Sequence, residues 1–329
     1  MCAHHSRVRK LCCLSLALSL LPVVLVACGD DDSAVTSDAG VALDAGNTPD
    51  ASAALDAGDT PDASRTVPRA LGPADRRADF VVPPAHDGVT PLPLMILLHG
   101  YSGSASVQDL YFRASVTARA MGYYLIVPDG TTDSRGNRFW NATPACCNFG
   151  GSPVDDVAYI TALLDEAESL VPVDTTRVYV YGHSNGGFMS YRMACELSAR
   201  ITAIASLAGG DFIGASDCVP SQPVSVLQVH GTLDETIGYA GTGGYPSARA
   251  TVMRWAERAG CEPTMSTSGT PLDLLTSLPG DETTVEQWTT GCDAGLDAAL
   301  WSIEGGSHIP GFNSAWPTSV AAWLLRHRR

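Results

Sequence analysis

From about residue 76 onward, runs that are apolar at every position alternate with mixed segments of helical period. Leu92–Leu98 reads LPLMILL and Tyr124–Pro128 reads YLIVP, and residues 178–181, 201–207, 224–229 and 299–303 are runs of the same kind. A strand with one wet face alternates apolar with polar; a strand apolar throughout must be covered on both faces. Residues 80–82 begin a further strand, which Pro83 and Pro84 cut short. The intervening segments predict helices over 107–120, from Asp155 or Asp156 to about 170, from Asn185 onward and over 247–259. Val157, Ile160, Leu163 and Leu164 share one face of the second of these. Strands alternating in this way with helices predict a mostly parallel, doubly wound sheet in a single α/β domain, with ligands gathering at the carboxyl ends of the strands. Residues 131–154 form a long loop containing Trp140, Asn141 and the adjacent pair Cys146 and Cys147, and loops of that length are functional or tied down.

The first 66 residues follow a different pattern. Arg7, Arg9 and Lys10 precede an apolar run over 11–27, the parts of an export signal. Leu25-Val26-Ala27-Cys28 resembles the bacterial lipobox, so residues 1–27 are expected to be a lipoprotein signal peptide and Cys28 a lipidated, membrane-anchoring residue. A plain secretory signal or an uncleaved anchor are the alternatives, and all three place the bulk of the chain outside the cytoplasm. Residues 28–66 are rich in Asp, Ala, Gly and Pro, and ALDAGNTPDASA (42–53) is followed directly by ALDAGDTPDASR (54–65). A 12-residue period with one leucine per unit builds no core and predicts a disordered spacer, leaving 67–329 as the folded domain.

Charge and cysteine usage narrow the class. Residues 65–329 hold 26 acids against 17 arginines, a net of −9, which excludes nucleic acid as a partner. Beyond the signal and Cys28 there are six cysteines, and an even number in an exported domain favours disulfides. Cys261 is expected to pair with Cys292. Cys146 and Cys147, being adjacent, are expected to take separate partners in Cys195 and Cys218 rather than bond each other. No C-x-x-C pairs with a suitable histidine spacing, so no metal site is expected.

Three strand ends carry the chemistry. The 178–181 run ends in Gly182-His183-Ser184-Asn185-Gly186, a G-x-S-x-G turn that projects its serine above a sheet and onto a helix N-terminus. The 224–229 run ends in His230-Gly231-Thr232-Leu233-Asp234, and the last run leads into Gly305-Gly306-Ser307-His308. The chain order Ser, Asp, His is that of the α/β-hydrolase fold. Ser184 needs a base during attack, which His308 supplies, while Asp234 accepts the other ring proton. Asp211, Asp293 and Asp297 compete with Asp234, which strand order favours. His99, His183 and His230 compete with His308, but His183 and His230 sit inside turns as packed or hydrogen-bonded supports and His99 is expected to orient the oxyanion loop. The amides of Asn185 and Tyr101 are the candidate oxyanion donors, with His99 orienting the Tyr101 loop.

The segments LLHGYSGSA, FWNATPACCNFGGSPVDDVAYI, YVYGHSNGGFMSYRMACE, VHGTLDETIGY and GGSHIPG resemble the LpqC-type poly(3-hydroxybutyrate) depolymerase and feruloyl esterase group of α/β-hydrolases. The resemblance covers about residues 91–311. It implies a secreted serine esterase acting on hydroxyalkanoate polyesters or on aryl and acetyl esters of plant polysaccharide, with no metal or organic cofactor. Relatives often carry a tryptophan just after the histidine, where this chain has Ile309-Pro310; Trp140 and Phe312 are the candidates to line the substrate pocket instead. A peptidase or acyl transferase on the same triad is the alternative enzyme, and a catalytically silent polyester- or glycan-binding lipoprotein the alternative outside enzymes.

Overall fold

A computed structural model describes residues 67–265 and 267–329. The signal peptide, Cys28 and the repeat spacer lie outside the described residues. A ten-stranded sheet organises the domain: β1 (Ala70–Leu71), β2 (Ala78–Val81), β3 (Leu92–Leu98), β4 (Tyr124–Pro128), β7 (Val173–His183), β8 (Ala203–Leu207), β9 (Ser225–Gly231), β10 (Thr267–Ser268), β11 (Thr283–Trp288) and β12 (Ala298–Ile303). A separate two-stranded ribbon joins β5 (Thr131–Thr132) to β6 (Arg138–Phe139) within the long loop. The spatial order is β1-β2-β4-β3-β7-β8-β9-β12-β11-β10. The six strands from β4 to β12 in that order pair in parallel, and the short strands at both edges pair antiparallel. This is the mostly parallel sheet expected from the apolar runs.

Six helices, among the described residues, cover the two faces: α1 (Ala105–Phe112), α2 (Ala114–Met121), α3 (Asp156–Leu170), α4 (Asn185–Glu196), α5 (Ala248–Arg258) and α6 (Ala315–Leu325). Alternate residues of each central strand serve opposite faces. Leu94, Ile96, Val178 and Val180 pack with Ile160 and Leu163 of α3 and Phe188 of α4, whereas Met95, Leu97, Tyr179 and Tyr181 pack with Ala118 of α2 and Trp316 and Leu324 of α6. Truncating a fully buried leucine such as Leu97 to alanine in a core of this kind costs about 2–5 kcal/mol.

The predicted 107–120 helix is two helices. Arg113 sits at φ 52°, ψ 35°, ending α1, and Asp109 restarts the chain by accepting from the amide and hydroxyl of Ser115, both at 2.6 Å. The carboxylate supplies the cap that α2 otherwise lacks. The prediction also missed α6, whose AWPTSVAAWLL is apolar almost all round and shows no amphipathic stripe; Pro317 falls in its first turn, where no intrahelical donor is lost.

Cys261 is bonded to Cys292 as expected, but the other pairing expectation is corrected. Cys195, near the end of α4, is bonded to Cys218, which follows a 3-10 turn after β8, and Cys146 is bonded to Cys147. The Cα atoms of Cys195 and Cys218 stand 5.5 Å apart, within the span of an ordinary disulfide, so each satisfies the other. The Cys146–Cys147 peptide is cis and its Cα atoms are 3.1 Å apart, so the adjacent pair closes on itself.

Candidate active site

Ser184 stands where β7 turns into α4, at φ 54° and ψ −118°, a conformation that costs a non-glycine residue about 1–3 kcal/mol. Its amide donates to Leu207 O of β8 at 2.8 Å and its carbonyl accepts from Phe188 at 3.0 Å, so sheet and helix both grip the strained residue. The glycines around it are steric necessities. A Cβ on Gly182 would lie 2.6 Å from the carbonyl of Gly186, and a Cβ on Gly186 would lie 2.2 Å from Leu98 O. Strand and helix meet at this distance only without side chains.

The loops after β9 and β12 bring the other two residues to Ser184. Ser184 Oγ lies 2.9 Å from His308 Nε2, and His308 Nδ1 lies 2.8 Å from Asp234 Oδ2. Asp234 Oδ1 accepts from the amides of Thr236 and Ile237, each at 2.8 Å. Burial pushes the Asp234 carboxyl up, but hydrogen bonds from His230 and His308 and the Ile237 amide outweigh it and hold the group well below the usual carboxylate range.

The three competing histidines all lie around this site, each in a fixed role. His230, 1% exposed, approaches Asp234 Oδ2 at 3.3 Å and Ile237 O at 2.7 Å through Nε2. Its tautomer follows from its neighbours. Tyr191 donates its hydroxyl to Gln228 Oε1, which directs the Gln228 amide nitrogen at Gly209 O and at His230 Nδ1, so the ring proton is on Nε2 and faces the carboxylate. His183 Nε2 donates to the backbone carbonyl of His308 at 2.9 Å, and burial together with the nearby His308 pushes its ring down to about 4. His99 accepts from the Gly130 amide through Nε2 at 2.8 Å and therefore donates from Nδ1 to Gly100 O at 2.7 Å; burial lowers its basicity. The sequence placed these residues in turns but carried no sign of the Tyr191–Gln228–His230 chain, because Gln228 lies inside an otherwise apolar strand.

The loop from His99 to Gly103 lies directly on the serine turn: a Cβ on Gly100 would come within 3.3 Å of Ser184 Cβ. Ser102 and Gly103 commit their amides to Arg138 O and Gly100 O, while the Tyr101 amide makes no hydrogen bond among the described residues. The Asn185 amide is likewise uncommitted at the first position of α4. Two free donors thus flank Ser184, one on a helix N-terminus.

Trp140 is not a pocket residue, which corrects the expectation. It is 0% exposed, its Nε1 donates to His99 O at 3.0 Å, and the Asn185 side chain clamps its backbone with two bonds of 2.7 and 3.0 Å. It braces the two loops that carry Tyr101 and Asn185. Phe312 stacks on Trp316 with ring centroids 3.7 Å apart and leans on Tyr111, so its ring is largely committed to packing.

A parallel sheet crossed by a strained serine turn, with Asp234 and His308 presented from the two strands beyond it, is the α/β-hydrolase fold. No family model matches the chain. It is 28% identical over 250 residues to feruloyl esterase B of Piromyces equi, covering 72% of this chain but 43% of that protein. It is 29% identical over 258 residues to feruloyl esterase C of Emericella nidulans, covering 73% and 82%. An acetyl xylan esterase from Aspergillus awamori superposes with a TM-score of 0.54 at 15% identity, over 79% of this chain and 97% of that one, a likeness of fold. The chain spans less than half the length of the Piromyces protein. The chain is thus similar, over about three quarters of its length, to proteins named feruloyl esterase, and it has an α/β-hydrolase fold.

Proposed function

We propose that the chain is an extracytoplasmic serine carboxylester hydrolase, with residues 67–329 as its single catalytic domain. The observation that carries the reading is the continuous line from Ser184 Oγ through His308 to Asp234, with separations of 2.9 and 2.8 Å, set between two uncommitted amides. In this reading His308 Nε2 takes the Ser184 proton as Oγ attacks the ester carbonyl, a contribution of about 10²–10⁴ in rate. Asp234 stays ionised and stabilises the imidazolium. The amides of Tyr101 and Asn185 receive the oxyanion, each worth about 10²–10³ in turnover. The tetrahedral intermediate then collapses, His308 returns the proton to the departing alcohol, and an acyl group remains on Ser184. Water activated by the same histidine releases the acid.

The substrate class follows the relatives: feruloyl or acetyl esters of plant polysaccharide, with polyhydroxybutyrate-like polyesters as the competing class on the resemblance of the serine and histidine segments. Three disulfides among the described residues suit an oxidising compartment. No helix among those residues is long and apolar enough to cross a membrane, and membrane attachment is assigned to Cys28. Ser184→Ala tests the core of the reading. Hydrolysis of p-nitrophenyl acetate or butyrate is expected to fall at least about 10⁴-fold, with loss of labelling by a fluorophosphonate; unchanged turnover overturns it.

A further inference from the structure

The loop that carries the Tyr101 amide is fastened to one segment, residues 130–140, which contains the β5–β6 ribbon. His99 accepts at Nε2 from the Gly130 amide, and its carbonyl accepts from Trp140 Nε1. The Ser102 amide donates to Arg138 O at 2.8 Å. The side chains of Ser102 and Tyr101 then form a directed chain of hydrogen bonds with the turn of the ribbon. Ser102 Oγ donates to Asn137 Oδ1 at 2.9 Å, Asn137 Nδ2 donates to the Tyr101 hydroxyl at 3.0 Å, and that hydroxyl donates to Asp133 Oδ2 at 2.7 Å. Asp133 Oδ1 accepts from the amides of Arg135 and Asn137 at 2.8 and 2.9 Å. Each group has one consistent role, and the chain ends on a carboxylate, which makes its last side-chain bond charge-assisted.

The backbone between these bonds is bent into an unfavourable shape. Ser102 holds φ 62°, a left-handed conformation that residues with a side chain adopt only where their surroundings impose it. The ribbon imposes it here, because its bonds grip Tyr101 on one side of the bend and Ser102 at the bend itself. The Tyr101 hydroxyl gives its one proton to Asp133 and keeps none for a substrate, whereas the amide of the same residue is uncommitted. The side chain of Tyr101 therefore anchors, and its backbone is left to act.

We propose that Asp133, Asn137 and the hydroxyls of Tyr101 and Ser102 are positioning residues for ester cleavage, holding the Tyr101 amide beside Ser184 before an oxyanion forms; the assignment rests on the esterase reading above. A donor already held in place needs no reorganisation when charge develops, which is where its effect on rate comes from. The second donor is referred to the same segment. Trp140 ends it, and the Asn185 side chain clamps the Trp140 backbone with bonds of 2.7 and 3.0 Å. Segment 130–140 thus sets both amides relative to each other, although it contributes no atom to the reacting centre.

The test compares the full chain with Tyr101→Phe, Ser102→Ala and the two combined on p-nitrophenyl butyrate. Tyr101→Phe keeps the ring and its edge contact with Phe149, at a centroid distance of 5.3 Å, and removes only the hydroxyl. It is expected to lower kcat about tenfold with KM within about twofold, and to weaken inhibition by an alkyl trifluoromethyl ketone, whose serine adduct bears the oxyanion, by the same factor. Fluorophosphonate labelling keeps its stoichiometry, so the loss is not one of folded protein. Ser102→Ala is expected to cost about threefold, and the combination no more than Tyr101→Phe alone, because the groups act as one chain. Hydrogen exchange over residues 99–104 reads the attachment without any turnover, and is expected to quicken about tenfold in Tyr101→Phe. Unchanged exchange, unchanged kcat and ketone affinity, or a loss confined to KM overturns the proposal. An unaltered chain that hydrolyses no ester and takes no fluorophosphonate sinks the esterase reading itself, whereas an active chain indifferent to these changes sinks only the positioning role.

Discussion

The domain contains two histidine–aspartate pairs of equal length at opposite ends of its sheet. At the carboxyl end, His308 Nδ1 meets Asp234 at 2.8 Å; at the amino end, His327 Nε2 meets Asp297 at 2.8 Å. The distance therefore does not distinguish them. The second ring nitrogen does. His308 Nε2 faces the Ser184 hydroxyl, which can give its proton or accept one, whereas His327 Nδ1 faces Trp323 O at 2.9 Å, which can only accept. Both ring nitrogens of His327 face oxygen acceptors, and neither faces a hydroxyl with which it could exchange a proton. Asp297 is shared besides with Arg326. In the proposed reading the first pair passes a proton along, while the second ties α6 and the last residues to the sheet.

The sharpest way to break the comparison is to remove each imidazole. His308→Ala is expected to lower ester turnover about 10⁴–10⁶-fold in a p-nitrophenyl ester assay, while His327→Ala leaves it within about threefold. The reverse holds for stability: His327→Ala costs about 3 kcal/mol in a urea titration, because a buried pair loses one member while Arg326 still accompanies Asp297. A swap of these outcomes would exchange the assignments.

His183 gives the next largest effect. The unfolded chain takes up its proton near pH 6.5 and the folded chain only near 4, so the unfolded state binds more protons in between and stability falls as pH drops through that window. The loss attributable to His183 reaches about 3 kcal/mol at pH 4, and His183→Gln is expected to remove that portion of the slope in denaturation curves taken from pH 7 to 4. Asp234, held below its ordinary range, adds its own loss at more acid pH still.

The smallest effect belongs to His230. His230→Leu deletes a donor to Asp234, which then draws more strongly on the His308 proton. A roughly tenfold lower kcat/KM is expected, with the acid limb of its pH profile moved to higher pH. His230→Gln, which keeps a donor, restores part of both. A profile that keeps its shape would reduce His230 to packing.

What was legible in the chain divides along the same line. The buried strands, the serine turn and the Asp234 and His308 loops could be placed because an all-apolar run followed by small residues permits few structures. The edge strands β10 and β11 were not found, since Thr-Thr-Val-Glu-Gln-Trp is only half buried and reads as polar. The Cys146–Cys147 bond and the burial of Trp140 were invisible for another reason: each depends on where a loop crosses another element, which local pattern does not encode. Asn185 shows the limit best. Its amide was placed from the turn motif, but its side-chain clamp on Trp140 joins residues 45 positions apart.

The Cys195–Cys218 bond has a practical consequence for handling the protein. It fastens one end of α4 while the serine turn fixes the other, so the helix behaves as a beam clamped at both ends. By the chain-entropy model, closing a loop of this size is worth about 3 kcal/mol. Protein made in a reducing bacterial cytosol would lose that clamp, and its shelf life and heat tolerance would then depend on whether the host let the thiols oxidise.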